Sequence, residues 1–403
     1  MNPLRNLYEI TAFGELWTQP GMLLMLVIGI LLLFLGIRKK YEPLLLVPIG
    51  FGVILANLPG AGMGIVEEEM VRFDDGRYMN LIEIAGEYGI MNYLYYMLIK
   101  TGFLPPIIFL GVGALTDFGP MLRNLRLSLF GAAAQLGIFT VFFVAIAVGF
   151  TPKEAGSLGI IGGGDGPTAI YISIILAPHL LGPIAIAAYS YMALVPVIIP
   201  PVVRVLCTKK ELAINMKKMD KLYPPKTQIK NIAAVKIAFP IVIGIMVAFF
   251  VPSAVPLIGM LMFGNLIKEI GVATGRLSEA ASGPIMNTAT IFLGLAVGAT
   301  MTSATFLDYR TLGIIFGGLI AFAISVAGGI LAVKVYNLFA TKKINPLIGA
   351  TGLSAVPMAS RVANEIAVKH DPGNHILQYC MASNISGVIG SAVAAGVLIA
   401  FLA

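Results

Sequence analysis

The chain has 403 residues and a formal charge of +7, with 58% hydrophobic and only 12% charged residues. Its mean hydropathy is +0.91. Soluble domains carry about 25% charged residues, so this composition excludes an ordinary soluble protein and indicates a polytopic membrane protein. Most lysines and arginines fall in short segments between apolar runs, where they set membrane topology and do not point to nucleic acid.

The chain lacks the sequence motifs of ATP binding, of disulfide or metal sites, and of secretion. No Gly-x-x-x-x-Gly-Lys-[Ser/Thr] sequence occurs, so ATP is not expected to be the energy source on this chain. Cys207 and Cys380 lie in or beside apolar segments, and their spacing predicts neither a disulfide framework nor a metal site. Residues 1–19 lack the basic start and apolar centre of a secretory signal peptide.

Ten apolar runs have the length of a membrane span. They cover residues 20–38, 42–58, 103–120, 127–150, 182–206, 233–251, 252–268, 283–303, 312–334 and 376–402. Two further apolar segments, 156–178 and 344–361, are interrupted by glycine and proline. Residues 59–101 are acidic and mixed, and are predicted to form an external insertion with a short interfacial helix near Tyr93–Leu98.

The chain repeats part of its own sequence. The motif IFLGVGA at Ile108–Ala114 recurs as IFLGLAVG at Ile291–Gly298, an offset of 183 residues (291 − 108). The same offset places residues 162–171 over residues 345–354, so that one broken segment overlies the other. A constant offset across two motifs favours an internal repeat.

The distribution of positive charge predicts the topology. Residues 207–236 contain eight lysines, and this segment is therefore expected in the cytoplasm. All basic clusters fall on that same side, with both termini outside, if segment 156–178 enters the membrane and returns without crossing it. The other basic clusters are Arg38–Lys40, Arg123 with Arg126, and Lys342 with Lys343.

The predicted fold is an all-α polytopic membrane protein built from two inverted repeats. Each repeat has about five transmembrane helices and one broken, re-entrant hairpin, arranged as a transporter-like core and scaffold. The first repeat covers residues 1–206 and includes the insertion at 59–101. The second repeat covers residues 233–403, and a basic cytoplasmic loop at 207–232 joins the two.

The first broken segment contains the strongest functional signal. It reads LGIIGGGDGPTAIY over Leu158–Tyr171 and places Asp165 among glycines and a proline. A charge at bilayer depth costs about 2.5–3.5 kcal/mol on insertion scales, so an intramembrane aspartate is a functional candidate by default. Free backbone carbonyls beside a carboxylate are oxygen ligands suited to small cations. The alternatives are a plain interhelical loop, or an aspartate that only caps the helix starting near Pro167.

Seven motifs along the chain resemble one family, the membrane-integral β subunit of sodium-translocating biotin-dependent decarboxylases, which act on oxaloacetate, methylmalonyl-CoA, glutaconyl-CoA or malonate. The resemblance runs over nearly the whole chain. One departure is Gly164, where the common family pattern has alanine before the aspartate. The motifs lie at Lys40–Gly52, Gly111–Pro120, Ile160–Thr168, Ala188–Pro196, Ile344–Gly349, Ser354–Pro357 and Gly387–Ser391.

The resemblance implies roles for six residues. Asp165 matches the essential sodium-coupling aspartate of the family, and Tyr191 matches its functional tyrosine. The remaining matches, in the second repeat, are Asn345, Gly349, Ser354 and Arg361. We expect a sodium site of Asp165, Asn345, Gly349 and Ser354. The expected catalytic set is Asp165, Tyr191 and Arg361, with the Arg361 guanidinium also binding the carboxylate of carboxybiotin.

Purely structural roles for these residues remain open from the sequence alone. Asn345, Gly349 and Ser354 are also compatible with ordinary hairpin packing, and Tyr191 with an aromatic residue on a helix face. Arg361 is compatible with a positive-inside anchor. Asn287 and Asn384, polar residues in apolar helices, are either secondary ligands or interhelical hydrogen-bonding groups.

The resemblance also implies a reaction and partners. The family decarboxylates carboxybiotin, takes up a proton and exports sodium across the bacterial cytoplasmic (inner) membrane. The biotin is attached to a partner subunit and not to this chain. The implied partners are a carboxyltransferase subunit, a biotin carrier subunit, a small membrane subunit and membrane lipid, with a homotrimer of this chain and no nucleic acid. The rival hypotheses are a sodium-coupled solute transporter without chemistry and a purely structural membrane anchor.

Overall fold

The computed structural model describes most of the chain as helices. The described residues are 19–40, 42–73, 76–223, 231–306, 309–355 and 358–403. They contain no β-strand, only an isolated bridge between Arg72 and Tyr78. Parts of several predictions lie outside the described residues. These parts are the N-terminal residues 1–18, Tyr41, residues 74–75 of the insertion, residues 224–230 of the basic loop, residues 307–308 of the second repeat, and Val356 with Pro357.

The helices of the first half are mostly apolar and often begin at a proline, whose missing N–H costs nothing at the first helical position. They are α1 (Pro20–Ile37), α2 (Pro43–Ala56), α3 (Leu81–Leu94), α4 (Leu104–Leu115), α5 (Gly119–Arg123), α6 (Leu125–Ala134), α7 (Leu136–Val148), α8 (Pro152–Gly159), α9 (Gly166–Leu176), α10 (Leu181–Ala193) and α11 (Val195–Leu206).

The helices of the second half include the longest in the described chain. They are α12 (Lys209–Leu212), α13 (Met216–Leu222), α14 (Ile232–Phe250), α15 (Val255–Glu269), α16 (Gly275–Ala280), α17 (Met286–Ala299), α18 (Ser303–Phe306), α19 (Tyr309–Phe339), α20 (Leu347–Ala350), α21 (Met358–His370) and α22 (Leu377–Leu402). Short 3-10 and π-helical turns extend several of them.

The described helices fit a multi-pass membrane protein. Six helical stretches are long and apolar enough to cross a membrane, and two of them, Leu125–Val148 and Gly271–Ala299, each join two of the helices named above. The number rises to eight if two bent helix pairs each form one span. The bent pairs are Leu81–Ile99 with Leu104–Leu115 and Pro178–Met192 with Val195–Leu206. The runs predicted at 42–58 and 252–268 form shorter helices, of 14 and 15 residues.

The predicted insertion contains two helical pieces between Leu81 and Ile99. The first begins at Leu81, because Asn80 and Glu83 form a capping box that satisfies backbone N–H groups of the first turn. Gly89, with φ +76°, interrupts the helix. The second piece follows Gly89 and continues through a π-helical turn to Ile99, so it contains the helix expected near Tyr93–Leu98.

The chain divides into two compact units, each assembled from separated stretches of sequence. One unit comprises Met1–Leu104, His179–Ile186 and Asn287–Ile315. In the other unit are Pro105–Pro178, Ala187–Met286 and Phe316–Ala403. All six residues predicted to form the sodium and carboxybiotin sites lie in the second unit.

Two broken helices meet inside the second unit. The first consists of α8, a 3-10 turn at Ile160–Gly163, a break at Gly164 and Asp165, and α9. Gly164 has φ +66°, a left-handed conformation that glycine adopts without steric cost. The second consists of α20, a break that includes residues 351–355, and α21. The Ser354 N–H donates to the Gly163 carbonyl at 2.9 Å, so the two breaks are in direct contact.

Gly349 and Gly329 permit a close crossing between α20 and α19. A Cβ atom built on either glycine would lie only 2.0 Å from the carbonyl oxygen of the other. No side chain fits between the two backbones at this point. Glycine at both positions therefore lets α19 and α20 approach each other closely, as small residues do in membrane helices.

This crossing predicts a difference between two neighbouring glycines of α19. Gly329→Ala should destabilise the protein by about 1–3 kcal/mol, because the added methyl group meets the Gly349 carbonyl. Gly328→Ala is the matched control, since a Cβ there meets its nearest atom, the Ala133 carbonyl oxygen, only at 3.8 Å. Thermal unfolding of both variants in detergent measures the difference, and equal midpoints would contradict the close crossing.

Candidate functional site

Asp165 presents a buried carboxylate at the break of the first segment. The residue is 5% exposed. Its Oδ2 accepts hydrogen bonds from Ser354 Oγ at 3.0 Å and Ser391 Oγ at 2.9 Å. Its Oδ1 accepts from the Thr168 N–H at 3.3 Å. No lysine or arginine is among these described partners, so the negative charge is met only by neutral donors.

Three elements bring these groups together. Asp165 is the N-cap of α9, which orients its carboxylate toward the first helical turn. Ser354 comes from the break between α20 and α21, and Ser391 from α22. The carboxylate therefore joins residues far apart in the sequence, 189 and 226 positions away.

Several buried oxygen atoms in the same unit have no hydrogen-bond partner within the described structure. They include Thr168 Oγ1, Gln135 Oε1, Asn384 Oδ1 and the Tyr189 hydroxyl. A buried polar atom without a partner costs about 1–3 kcal/mol and calls for an explanation. Neutral oxygens near a carboxylate form the kind of donor set that binds a small, hard cation.

In the side-chain amides of Gln135 and Asn384, the nitrogens donate hydrogen bonds, whereas the oxygens accept none from the described residues. Gln135 Nε2 lies 3.2 Å from the carbonyl of Gly352. Asn384 Nδ2 donates to the Thr351 carbonyl at 3.1 Å. Both contacted carbonyls belong to the second broken segment. Asn384 therefore acts at least as an interhelical hydrogen-bonding group, one of its two predicted roles.

Sequence reasoning missed Ser391, Thr168 and Gln135. Ser391 lies seven residues after Asn384, so both occupy one face of α22. Two polar residues at that spacing in a mostly apolar helix were the available signal. Thr168 was visible as the third residue after Asp165, the position whose N–H an N-cap side chain reaches.

The Asn345 side chain is fully engaged elsewhere. Its Nδ2 donates to the carbonyls of Leu212 and Ile214 at 2.9 and 3.0 Å. Its Oδ1 accepts from the Leu347 N–H at 3.0 Å. The structure thus brings Ser354, but not Asn345, into hydrogen-bond contact with Asp165. Gly349 contacts Gly329 at the crossing of α20 and α19.

Two tyrosines of α10 occupy different places. Tyr191, 4% exposed, packs its ring against Gly318, where an added Cβ would lie 2.7 Å from Tyr191 Cε2. Tyr189 packs against Gly166, where an added Cβ would lie 2.1 Å from Tyr189 Cε1. Tyr189 is thus the tyrosine that borders the residue next to Asp165.

Arg361 lies on α21, in the fourth helical position, and is exposed. No ion pair links it to another residue in the described part of the chain. The adjoining basic segment, α12 and α13, is tied to the second broken segment and its neighbours. Asn215 Nδ2 donates to Asp371 at 2.9 Å, and Lys342 Nζ lies 2.6 Å from Asp220. Arg361 therefore offers a free guanidinium beside an ordered surface.

This arrangement separates two kinds of chemistry. The interior site joins the Asp165 carboxylate to the hydroxyls of Ser354 and Ser391, a set of oxygens that suits a small monovalent cation. The exposed Arg361 suits a carboxylate-bearing molecule. Among the described residues, no group of three or more His, Cys, Asp and Glu side chains lies close enough together to hold a metal ion.

Comparison with known proteins places the sequence in one family. Residues 21–402 match the family described as the Na+-transporting oxaloacetate decarboxylase beta subunit. The chain is 47% identical to the methylmalonyl-CoA decarboxylase subunit beta of Propionigenium modestum, with 99% of each chain covered. It is 44% identical to the probable oxaloacetate decarboxylase beta chain of Vibrio cholerae, with 97% of each covered. For the oxaloacetate decarboxylase beta chain of Klebsiella pneumoniae the identity is 43%, with 98% of each covered.

These matches extend over nearly the full length of both partners in each comparison. They agree with the helical, multi-pass architecture and with the motifs that carry the resemblance. The chain therefore belongs to the β subunit family of the sodium-transporting decarboxylases and is the membrane subunit of a decarboxylase complex.

Proposed function

We propose that this chain decarboxylates carboxybiotin, delivered by a biotin carrier subunit, and couples that reaction to export of Na+. The observation that carries the proposal is the buried Asp165 carboxylate, hydrogen-bonded by Ser354 and Ser391 from other elements. A carboxylate at that depth without a cationic partner is poised to exchange its hydroxyl donors for a positive ion.

The transported Na+ is assigned to Asp165, Ser354 and Ser391, with the oxygens of Thr168, Asn384 and Gln135 as further candidates. Asp165 supplies the charge that balances the cation, and the hydroxyls supply neutral oxygens. The joined breaks favour this position, because irregular backbone at membrane depth is tolerated where it lines a polar cavity. Asn345 and Gly349 support the site from outside by fixing the second broken segment.

Decarboxylation supplies the energy for transport. The bond between the ureido nitrogen of biotin and the carboxyl carbon breaks, and CO2 leaves. The bonding electron pair stays on nitrogen, which takes up one proton. Moving one charge against 100 mV costs about 2.3 kcal/mol. Decarboxylation therefore has to change which side of the membrane the Na+ site opens to. Na+ that bound equally well in the inward-open and outward-open states would not favour either state.

Arg361 is assigned to the carboxybiotin carboxylate, and Tyr191 to a role in proton delivery or in positioning. The exposure of Arg361 supports its role, because a carrier domain arriving from the cytoplasm requires an accessible group. The ordered segment of α12 and α13 provides a surface for that domain. The two breaks also support an inverted-repeat core, and we extend the proposal to that architecture.

The wider assembly follows from the same family membership. The partners would be the carboxyltransferase, biotin carrier and small membrane subunits, in the bacterial inner membrane, with this chain as a homotrimer. The basic segment 207–232 would face the cytoplasm. Co-purification with a biotinylated subunit distinguishes this proposal from a sodium-coupled solute transporter without chemistry.

Asp165→Asn preserves the size of the side chain and removes its charge. Sodium-dependent decarboxylation should be abolished, because the transported cation loses its counter-charge. Carboxyl transfer to biotin on the partner subunit should be intact. The measurement is CO2 release by the purified complex with and without Na+, beside the carboxyl-transfer assay. Normal sodium-stimulated CO2 release in this variant would refute the assigned role.

Ser354→Ala and Ser391→Ala should each raise the Na+ concentration for half-maximal activity about fivefold, since one hydroxyl ligand contributes about 1 kcal/mol. The defect should shrink at high Na+. Ser173→Ala is the matched control, because the Ser173 hydroxyl bonds the Ala169 carbonyl of its own helix, α9. An unchanged sodium requirement in both test variants, or the same shift in the control, would count against the shared site.

Arg361→Ala should lower the decarboxylation rate without changing the Na+ concentration for half-maximal activity, because its proposed partner is an anion. Arg361→Lys should recover only part of the rate, as an ammonium cannot bind a carboxylate with two parallel N–H donors. Lys369→Ala changes another exposed cation on α21 and serves as the control. Rescue of Arg361→Ala by added Na+ would remove the assigned role.

A further inference from the structure

A groove of about 450 Å³ lies between the end of α19 and the start of the cytoplasmic segment. Its floor is apolar and its upper wall is basic. Leu331, Val335 and Leu338 form the floor and are 47, 56 and 76% exposed. The basic residues lining the groove are Lys210, Lys334 and Lys343. One acidic residue, Glu211, also lines it.

The groove is placed at the boundary between hydrocarbon and headgroups. Helix α19 has 31 residues, whereas about 20 suffice to cross the hydrocarbon core. Its last turns therefore reach the membrane surface. The lysines around that end belong to the basic clusters that the positive-inside rule puts in the cytoplasm.

Much of the charge in the groove is already organised. Glu211 Oε1 pairs with Lys334 Nζ at 3.2 Å, and Glu211 also caps α12 through Thr208. Burial raises the pKa of Glu211, but the Thr208 N–H and hydroxyl together with Lys334 outweigh burial and bring the pKa below its usual value. Glu211 is thus ionised, and its carboxylate is already bound by Lys334 and Thr208.

The remaining two lysines carry uncompensated charge. Lys210 has no ion pair with any described residue. Lys343 donates from Nζ to the Asn337 carbonyl in the last turn of α19, where it offsets the negative end of the helix dipole. Asn337 and Ile344 exchange two hydrogen bonds, of 2.7 and 2.8 Å, which fix the chain that carries Lys343. Three lysines against one glutamate leave the groove with two net positive charges.

We infer that this groove binds an anionic phospholipid of the cytoplasmic leaflet, with the phosphate at Lys210 and Lys343 and an acyl chain along Leu331, Val335 and Leu338. The presence of both lysines and an apolar floor favours this ligand. A soluble anion would use the lysines but not the apolar floor, and a neutral lipid would use the floor but not the lysines. Basic pockets beside transmembrane helices on the cytoplasmic side are suited to anionic headgroups.

The test compares two double variants of the full chain, purified in detergent and freed of lipid. Lys210→Gln with Lys343→Gln removes both free charges. Lys217→Gln with Lys221→Gln makes the same change at two exposed lysines of α13 that do not line the groove. Native mass spectrometry during titration with dioleoylphosphatidylglycerol, and separately with dioleoylphosphatidylcholine, gives the affinity and the oligomeric state.

Wild type and the control should bind phosphatidylglycerol more tightly than phosphatidylcholine. The groove variant should lose roughly 30-fold in phosphatidylglycerol affinity, at about 1 kcal/mol for each lysine near the surface. Inorganic phosphate at equal concentration should not compete. Equal affinity in the two double variants would overturn the inference. Competition by phosphate would overturn it in favour of a soluble-anion site, and a changed oligomer with unchanged lipid affinity would do so in favour of a contact between copies.

Discussion

The structure depends on one requirement, that a buried carboxylate must be satisfied without a cationic side chain. Asp165 meets it by accepting hydrogen bonds from a backbone N–H and two serine hydroxyls. Those donors come from three separate elements, so the carboxylate fixes the positions of all three. The break at Gly164 and Asp165 is what frees the carboxylate from its own helix. The positive φ of Gly164 and the contact of Ser354 with Gly163 are parts of the same solution.

The second broken segment is held by amide groups on the side of α12 and α13. Asn345 Nδ2 donates to the carbonyl of Leu212, the last residue of α12, and to that of Ile214. Asn374 Nδ2 also bonds the Ile214 carbonyl, at 2.9 Å. Movement of α12 would therefore strain the segment that carries Ser354. These contacts connect α12 physically to the interior carboxylate.

Sequence reasoning located Asp165 and Ser354 because each stands out locally. An aspartate between glycines in an apolar run is conspicuous, and the resemblance marked the serine. Ser391 was inconspicuous, because its helix contains two other serines, Ser383 and Ser386, and its partner lies 226 residues away. The placement of Asn345 depends on the backbone of α12, which no local pattern encodes. The helical class and the multi-pass architecture followed from hydropathy, whereas the contact between the two breaks, from the Ser354 N–H to the Gly163 carbonyl, depends on the tertiary fold.

The Ser391 hydroxyl lies 2.9 Å from Asp165 and 3.0 Å from the Val388 carbonyl of its own helix, and it has a single hydrogen to donate. Rotation about the Cβ–Oγ bond decides which acceptor receives it. With the hydrogen toward Asp165, the hydroxyl donates a hydrogen bond to a carboxylate that has no cation bound. With the hydrogen toward Val388, the oxygen lone pairs turn to the carboxylate side and can coordinate a cation there. A single bond rotation thus changes the polarity of the site without moving the backbone.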